Sequence, residues 1–222
     1  MKPVDQFSAA QTLDSLSEPW TQALDEAWLS WQHGNFGIGA VLFDPHTKVV
    51  TGRGRNAIGG DPSSELRLRG NWMAHAEMNL FASMSAFNAR GLHLYTTLEP
   101  CLMCAATAIF LDVEEIKFGA NDEYFHDLDS LWKHHPYTAS RQPSSTKALS
   151  GKLSSFCRLL PLSFTFEWRP GTTMVEEAIR HRPVLAKLAE SGVATTLRNV
   201  GLGEALDELW PELPDDEVHE SG

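Results

Sequence analysis

The sequence is poor in cysteine and has no long apolar run. Three cysteines occur in 222 residues, an odd number and a poor basis for a disulfide framework, so reduced thiols in a cytosolic setting are predicted. The longest nearly unbroken apolar run, from Cys101 to Leu111, is too short to cross a bilayer. The first ten residues contain no apolar segment like that of a secretory signal. We therefore expect a cytoplasmic protein with no membrane contact.

Positive charge is also scarce. Lys and Arg number 18 against 29 Asp and Glu, a net charge of −11, and eight of the acids lie in residues 204–222, where no Lys or Arg occurs. Without those eight acids the net charge is −3. Binding to a phosphate backbone needs a basic footprint, so this balance favours a small-molecule partner over nucleic acid. A local group of arginines leaves a tRNA substrate open, namely Arg53, Arg55, Arg67 and Arg69.

Hydrophobic periodicity predicts an α/β layered sheet, because strands and helices alternate after a first hairpin. The predicted helices cover residues 17–34, 74–85 and 100–111, and the predicted strands cover 37–43, 48–56, 92–98 and 113–118. The Ser- and Thr-rich residues 138–152 are predicted to be a linker. Beyond it, a strand or strand pair is predicted over 156–168 and helices over 172–190 and 195–209.

Two short motifs contain the residues on which chemistry is expected. His75 and Glu77 form a His-x-Glu motif, and Cys101 and Cys104 form a Pro-Cys-x-x-Cys motif. Three positions apart at the start of a helix, the two sulfurs lie on one side, and a helix N-terminus favours the thiolate that binds metal. One imidazole and two thiolates suit Zn²⁺, and three protein ligands with an open fourth position are typical of catalytic zinc.

The residues alone leave alternatives to this interpretation. A Cys-x-x-Cys pair by itself also serves redox chemistry. Other histidines remain available as the fourth ligand of a closed structural site, namely His93, His126, His134 and His135. Glu77 can face the same pocket as His75 only if the helix begins near His75, because residues two apart within a helix diverge by about 200°. In that case Glu77 can move protons beside the metal.

The order of these motifs resembles a known superfamily. His-x-Glu followed by Pro-Cys-x-x-Cys is the signature of zinc-dependent nucleobase deaminases. The similarity extends from Trp20 to Tyr124 and includes GAVLFD at 39–44, GRGRN at 52–56, LYTTLEPCLMC at 94–104 and FGAND at 118–122. On these residues the chain resembles the cytidine deaminase-like superfamily, and within it the branch of guanine deaminases, fungal cytosine deaminases and tRNA adenosine deaminases.

This resemblance implies a fold, a cofactor and an oligomeric state. The fold would be a three-layer α/β/α arrangement around a central mixed five-stranded sheet, with a C-terminal extension. Residues 1–137 would form the deaminase domain, 138–152 the linker, and 153–222 the extension with its acidic tail. His75, Cys101 and Cys104 would hold zinc, and Glu77 would be the catalytic proton shuttle. Members of this branch are often dimers, which predicts a homodimer.

Substrate contacts are also implied by the resemblance. Asn56, at the end of the second strand, would hydrogen-bond the substrate ring. The backbone N–H of Ala76 would meet a substrate carbonyl or ring nitrogen. Further candidates for the wall of the pocket are Asn35, Trp72, Met73, Asp122, Glu123, Phe125 and His126.

These observations predict a zinc-dependent hydrolytic deaminase that releases ammonia from a guanine-, cytosine- or aminotriazine-like base or nucleoside. Deamination of adenosine in tRNA is the alternative with the same chemistry. A deaminase-fold binding protein whose zinc serves stability is the alternative from another class. Bound zinc without ammonia release would favour that last interpretation.

Overall fold

The computed structural model describes residues 7–62, 65–122, 124–125 and 128–216. The strands are β1 (Gly39–Asp44), β2 (Val49–Arg55), β3 (His93–Leu98), β4 (Glu115–Ala120) and β5 (Ser144–Lys147). The helices are α1 (Ala9–Asp14), α2 (Glu18–Gln32), α3 (Ala76–Ser83), α4 (Leu102–Phe110), α5 (Asp129–Trp132), α6 (Pro136–Ala139), α7 (Gly151–Trp168), α8 (Thr173–His181), α9 (Pro183–Glu190), α10 (Val193–Thr196) and α11 (Leu202–Leu209). No helix in the described ranges combines the length and the apolar character needed to span a bilayer.

The strands form one mixed sheet in the order β2-β1-β3-β4-β5. β1 is antiparallel to both β2 and β3, whereas β3, β4 and β5 are parallel to one another. The carboxyl ends of β2, β3 and β4 therefore lie at one edge of the sheet. The predicted central five-stranded mixed sheet is confirmed.

Alternating side chains of the strands fill two separate cores. Val41 and Tyr95 contribute to a first core with α2, α7 and the helices that follow, whereas Leu42 and Leu94 contribute to a second core with α3 and α4. Successive residues of a strand point to opposite faces, so β1 and β3 each serve both cores. Helices therefore cover both faces of the sheet, and the predicted three-layer arrangement is confirmed.

Tryptophans of α2 join the C-terminal helices to the sheet. The indole N–H of Trp28 donates to the Val200 carbonyl at 3.0 Å, and that of Trp31 donates to the Ala194 carbonyl at 3.0 Å. Both rings are buried in the first core, where buried indole N–H groups require such acceptors. The C-terminal region thus packs directly against the α/β sheet.

Two predictions for this C-terminal region are wrong. Residues 156–168 are part of the helix α7, which buries most of its residues on several sides and so lacks the one-sided pattern of a surface helix. α7 also contains Pro161, a residue that is unusual inside a helix. The predicted linker contains β5, which pairs in parallel with β4, so the sheet extends past the predicted boundary at residue 137.

Other boundaries differ in smaller ways. The helix predicted over 172–190 is interrupted at Pro183, and the helix predicted over 195–209 is two shorter helices, α10 and α11. Within the acidic tail, the carboxylate of Asp216 accepts from Ser154 and from Arg182, each at 2.8 Å. The acids beyond residue 216 lie outside the described residues.

Close packing of α3 on β2 depends on Gly54. A Cβ at this position would lie 2.4 Å from the Ala76 carbonyl oxygen and 2.5 Å from the Leu80 nitrogen. Both atoms belong to the backbone of α3, so the clash can be relieved only by moving the helix. We expect Gly54→Ala to lower the free energy of unfolding by about 1–3 kcal/mol, as overpacked cores do, measured by urea denaturation.

Gly203 in α11 provides the matched control, because a Cβ there meets no atom within 4 Å. Gly203→Ala should leave stability unchanged or raise it by up to about 1 kcal/mol, the usual preference of a helix for alanine. Equal stability of the Gly54→Ala and Gly203→Ala proteins would contradict the close-approach argument.

Candidate active site

Two helix starts converge beside the edge of the sheet where β2, β3 and β4 end. His75 is the N-cap of α3, and Cys101 is the N-cap of α4, each with extended backbone angles. The helix therefore begins directly after His75, as the sequence argument for Glu77 required. His75 and Glu77 both line one cavity as a result.

Three potential metal ligands meet at these helix starts. The His75 Nδ1 atom lies 3.5 Å from the Cys101 Sγ atom and 3.6 Å from the Cys104 Sγ atom, and the two sulfurs are 3.6 Å apart. A tetrahedral zinc with its usual bond lengths separates two thiolate ligands by about 3.8 Å, and a thiolate from an imidazole nitrogen by about 3.6 Å. The three residues thus fit a zinc ion, and no other His, Cys, Asp or Glu of the described residues joins this group.

Three of the four histidines that were candidates for a fourth ligand lie within the described residues, and none of the three joins this group. His93 pairs with Glu115 at 3.1 Å, away from this group. His134 and His135 are exposed on the surface. His126 lies outside the described residues.

The two sulfurs of the group are electrostatically unequal. Hydrogen bonding from Cys104 and the neighbouring His75 lower the pKa of Cys101 to about 4, against the opposing effect of burial. The hydrogen bond to Cys101, together with burial, raises the pKa of Cys104 well above its usual value. Burial lowers the pKa of His75, but Cys101, Glu77 and Asp122 raise it by more. One thiolate is therefore present before a cation arrives, and binding must release the proton of the second thiol.

Glu77 is the buried acid next to these ligands. Its carboxylate accepts a hydrogen bond from the Thr96 hydroxyl of β3 at 3.0 Å, which fixes its orientation. Burial, and then the negative charge of Cys101, raise the pKa of this carboxyl group. A buried carboxyl with a raised pKa is suited to exchanging protons near neutral pH.

One cavity of about 470 Å³, here called the inner cavity, opens onto this group. Strand ends supply part of its wall, through Ile38 before β1, Asn56 after β2, Glu99 after β3 and Asp122 after β4. A ligand position at the carboxyl ends of the strands is usual for α/β sheets. The volume lies within the range of small-molecule sites.

The family comparison agrees with this geometry. Residues 14–120 match the model of the cytidine and deoxycytidylate deaminase zinc-binding region. A tRNA-specific adenosine deaminase of Streptococcus pyogenes serotype M18 is 30% identical over 112 residues, which cover 50% of this chain and 67% of that protein. The chain belongs to the cytidine deaminase-like superfamily.

A longer match and a solved structure give the same kind of relative. A tRNA-specific adenosine deaminase of Streptococcus pyogenes serotype M1 is 26% identical over 161 residues, covering 72% of this chain and 90% of that protein. A solved structure from a study of tRNA A34 deaminases, which carry out A-to-I editing at the wobble position, is 26% identical with a TM-score of 0.49. It covers 59% of this chain and 96% of that chain.

Asn56 occupies a rigid position in this deaminase-like site. Its backbone N–H donates to the Ile38 carbonyl at 2.9 Å, and its carbonyl accepts from the Ser30 hydroxyl at 2.8 Å. Its side-chain oxygen accepts from the Ile58 N–H at 3.2 Å, so Asn56 stabilises a turn as well as lining the inner cavity. The side chain of Arg55, the residue before Asn56, is also buried.

Buried ion pairs of Arg55 hold this strand end in place. Its guanidinium donates to Asp61 at 2.8 Å and to Glu26 at 3.0 Å. Asp61 lies in the loop after β2 and Glu26 lies in α2, so these ion pairs connect that loop with α2 next to Asn56.

The remaining predicted contacts divide into three groups. Trp72, Asp122 and Phe125 line the inner cavity. Asn35 instead holds a loop, because its side chain donates to the Gly60 carbonyl and accepts from the Gly59 N–H. Glu123 and His126 lie outside the described residues, and Met73 is exposed.

The position of Ala76 is that of the first residue of α3. Its backbone N–H has no acceptor within the helix, as expected for the first turn, and its side chain is buried in the second core. Its side chain does not line the inner cavity.

Sequence reasoning missed several contributors to the cavity. Pro161 of α7 and Met174 of α8 complete its wall from the C-terminal region. Thr96 orients Glu77 through its hydroxyl. The strand that contains Thr96 was predicted, but this contact was not. Neither α7 nor α8 carries a motif that would have indicated such a contact.

Proposed function

We propose that this protein is a zinc-dependent hydrolytic deaminase that replaces an exocyclic amine of a nucleobase ring with oxygen. The net reaction consumes one water and releases one ammonia. The observation that supports it most strongly is that three ligand atoms of zinc geometry lie together, and that two of their residues, His75 and Cys101, border one cavity with the buried Glu77. The superfamily supports the same reaction class.

His75, Cys101 and Cys104 would hold the zinc ion. When bound, zinc acts as a Lewis acid that lowers the pKa of water to about 7. The Glu77 carboxylate accepts a proton from the attacking water and delivers protons to the ring nitrogen and to the departing amine. Its hydrogen bond from Thr96 holds the carboxylate in one orientation beside the metal ligands, as a positioned proton-transfer group requires.

Asn56 and Ala76 would orient the ring. The Asn56 amide lies at the wall of the inner cavity and its backbone is fixed on both sides, so it loses little conformational freedom on binding. The Ala76 N–H lies at the positive end of α3, where it would donate to a substrate carbonyl or ring nitrogen. These roles suit a guanine-, cytosine- or aminotriazine-like ring, as a free base or a nucleoside.

The second candidate substrate is adenosine in tRNA. It is supported by the similar relatives, which are tRNA-specific adenosine deaminases at 26% and 30% identity. The net charge of −11 had favoured a small molecule, and the relatives support the tRNA candidate at least as well. The homodimer and the cytoplasmic location stay predictions.

A combined measurement of metal and product tests the proposed function. The purified protein should contain about one zinc per chain, which matches its single ligand group in the described residues. It should release ammonia from at least one member of a panel of free bases, nucleosides and unmodified tRNA. Stoichiometric zinc without ammonia from the whole panel would instead support a binding protein with structural zinc. A disulfide between Cys101 and Cys104 without metal would support the redox alternative.

A further inference from the structure

A second cavity, here called the outer groove, adjoins the inner cavity. It has a volume of about 320 Å³ and shares four lining residues with the inner cavity, namely Phe36, Trp72, Phe125 and Met174. A molecule whose reacting ring occupies the inner cavity can therefore continue into the outer groove. A single base ring has no second group to place there.

Open aromatic faces form much of the outer groove. The Trp72 and Trp168 ring centroids are 5.2 Å apart, yet these side chains remain 56% and 45% exposed. Tyr124, also 56% exposed, lines the same groove. Exposed aromatic rings at a groove are the usual platforms on which bases of a single strand stack.

Arg169 places a positive charge on this aromatic surface. Its guanidinium lies 5.3 Å from the Trp72 ring centroid and 4.8 Å from that of Trp168. Within the described ranges, no carboxylate pairs with Arg169, which lines the same groove. A cation beside exposed aromatic rings suits a phosphate that connects two bases.

The residues that distinguish the outer groove lie outside the region matched by the family model. Trp168 and Arg169 end α7, and Thr172 precedes α8, whereas the match ends at residue 120. The C-terminal region of this chain therefore completes the outer groove, one wall of which is formed by Phe36 and Trp72.

We propose that the outer groove stacks a base adjacent to the one that is deaminated, with Arg169 contacting the phosphate between them. This inference rests on the proposed function, and it identifies the substrate as a short single-stranded segment of an oligonucleotide. One phosphate contact is compatible with the net charge of −11, because each stacked base adds about 1–3 kcal/mol that needs no positive charge.

Binding of a uridine hexamer tests the groove separately from catalysis. Uracil has no exocyclic amine, so the wild-type protein cannot turn it over, and fluorescence anisotropy of a labelled hexamer reports affinity alone. Unlabelled uridine monophosphate competes with the labelled hexamer and so gives the affinity for a single nucleotide. The dissociation constant of the hexamer should be at least ten-fold lower than that of uridine monophosphate. Trp168→Ala should weaken hexamer binding by about 5- to 150-fold, the usual effect of losing one stacked base.

Two further variants separate stacking from folding defects. Trp168→Phe should restore most of the affinity, because it retains an aromatic face. Phe87→Ala should leave hexamer binding unchanged, since Phe87 is fully exposed and lines neither cavity.

Arg169→Gln tests the phosphate contact. For one phosphate contact with a single strand, log K should fall with log salt concentration with a slope of about −0.7, and the variant should bring that slope close to zero. A deoxyuridine hexamer tests whether the groove distinguishes DNA from RNA. If it binds as tightly as the uridine hexamer, stacking and the phosphate contact account for binding, whereas weaker binding indicates an additional contact with the ribose of RNA.

Two results would overturn the inference: equal affinity for uridine monophosphate and the hexamer, or unchanged hexamer binding by Trp168→Ala. Failure of the proposed function is distinguishable, because it would appear as missing ammonia release from every amine-bearing substrate while hexamer binding persists.

Discussion

Glu77→Gln is expected to reduce turnover by about 10²–10⁴-fold, the usual contribution of a positioned proton-transfer group. The amide has the same shape as the carboxyl and can still accept the hydrogen bond from Thr96, so the site should keep its structure. It cannot take a proton from water. Because Glu77 is not one of the three metal ligands, zinc content should remain at the wild-type level. Steady-state ammonia release and metal analysis on the same preparation measure both effects.

Glu99 provides a matched control within the same cavity. One oxygen of its carboxylate, Oε2, accepts from the Asn121 side chain at 3.0 Å and from the Asp122 N–H at 3.3 Å, so this oxygen holds the loop after β4. Glu99→Gln should keep turnover within about ten-fold of wild type, since no proton transfer is assigned to it. Comparable losses in both variants would show that Glu77 has no special role, and the proton-shuttle assignment would be wrong.

The α/β part of the fold was predictable because its patterns are local. The helix α2, the four strands between residues 37 and 120 and the helix starts at His75 and Cys101 each follow from periodicity, capping positions or the two motifs. The motifs also predicted the group His75, Cys101 and Cys104, since metal ligation requires particular residue types at particular spacings.

The C-terminal region could not be predicted in the same way. α7 is buried on several sides, so it has no polar face whose period would identify a helix, and it contains Pro161, which is unusual inside a helix. β5 is a short, largely polar edge strand whose pairing with β4 depends on tertiary contacts rather than on its own residues. Contacts of Pro161 and Met174 with the inner cavity arise only when α7 and α8 fold over the sheet edge.

The second large effect is expected from removal of a metal ligand, which should lower both zinc content and turnover. Cys101→Ser replaces a thiolate, whose pKa is about 4 here, with a hydroxyl that stays protonated and binds zinc poorly. We expect zinc content to fall from about one per chain to below about one tenth, with turnover lost in the same proportion, because both depend on a complete ligand set. Zinc released by acid and quantified with a colorimetric chelator, beside ammonia release, measures the two losses. His75→Ala should behave alike.

The third cysteine of the chain is the matched control for this experiment. Cys157 is buried in the first core, where burial raises the pKa of its thiol to about 12, so it offers no thiolate to a metal. Cys157→Ser should keep full zinc content and turnover, while circular dichroism shows that Cys101→Ser is folded. Stoichiometric zinc in Cys101→Ser, or its loss in Cys157→Ser, would refute the assigned ligands. Zinc lost together with turnover only in Cys101→Ser and His75→Ala would establish that the three converging atoms hold the ion that the reaction requires.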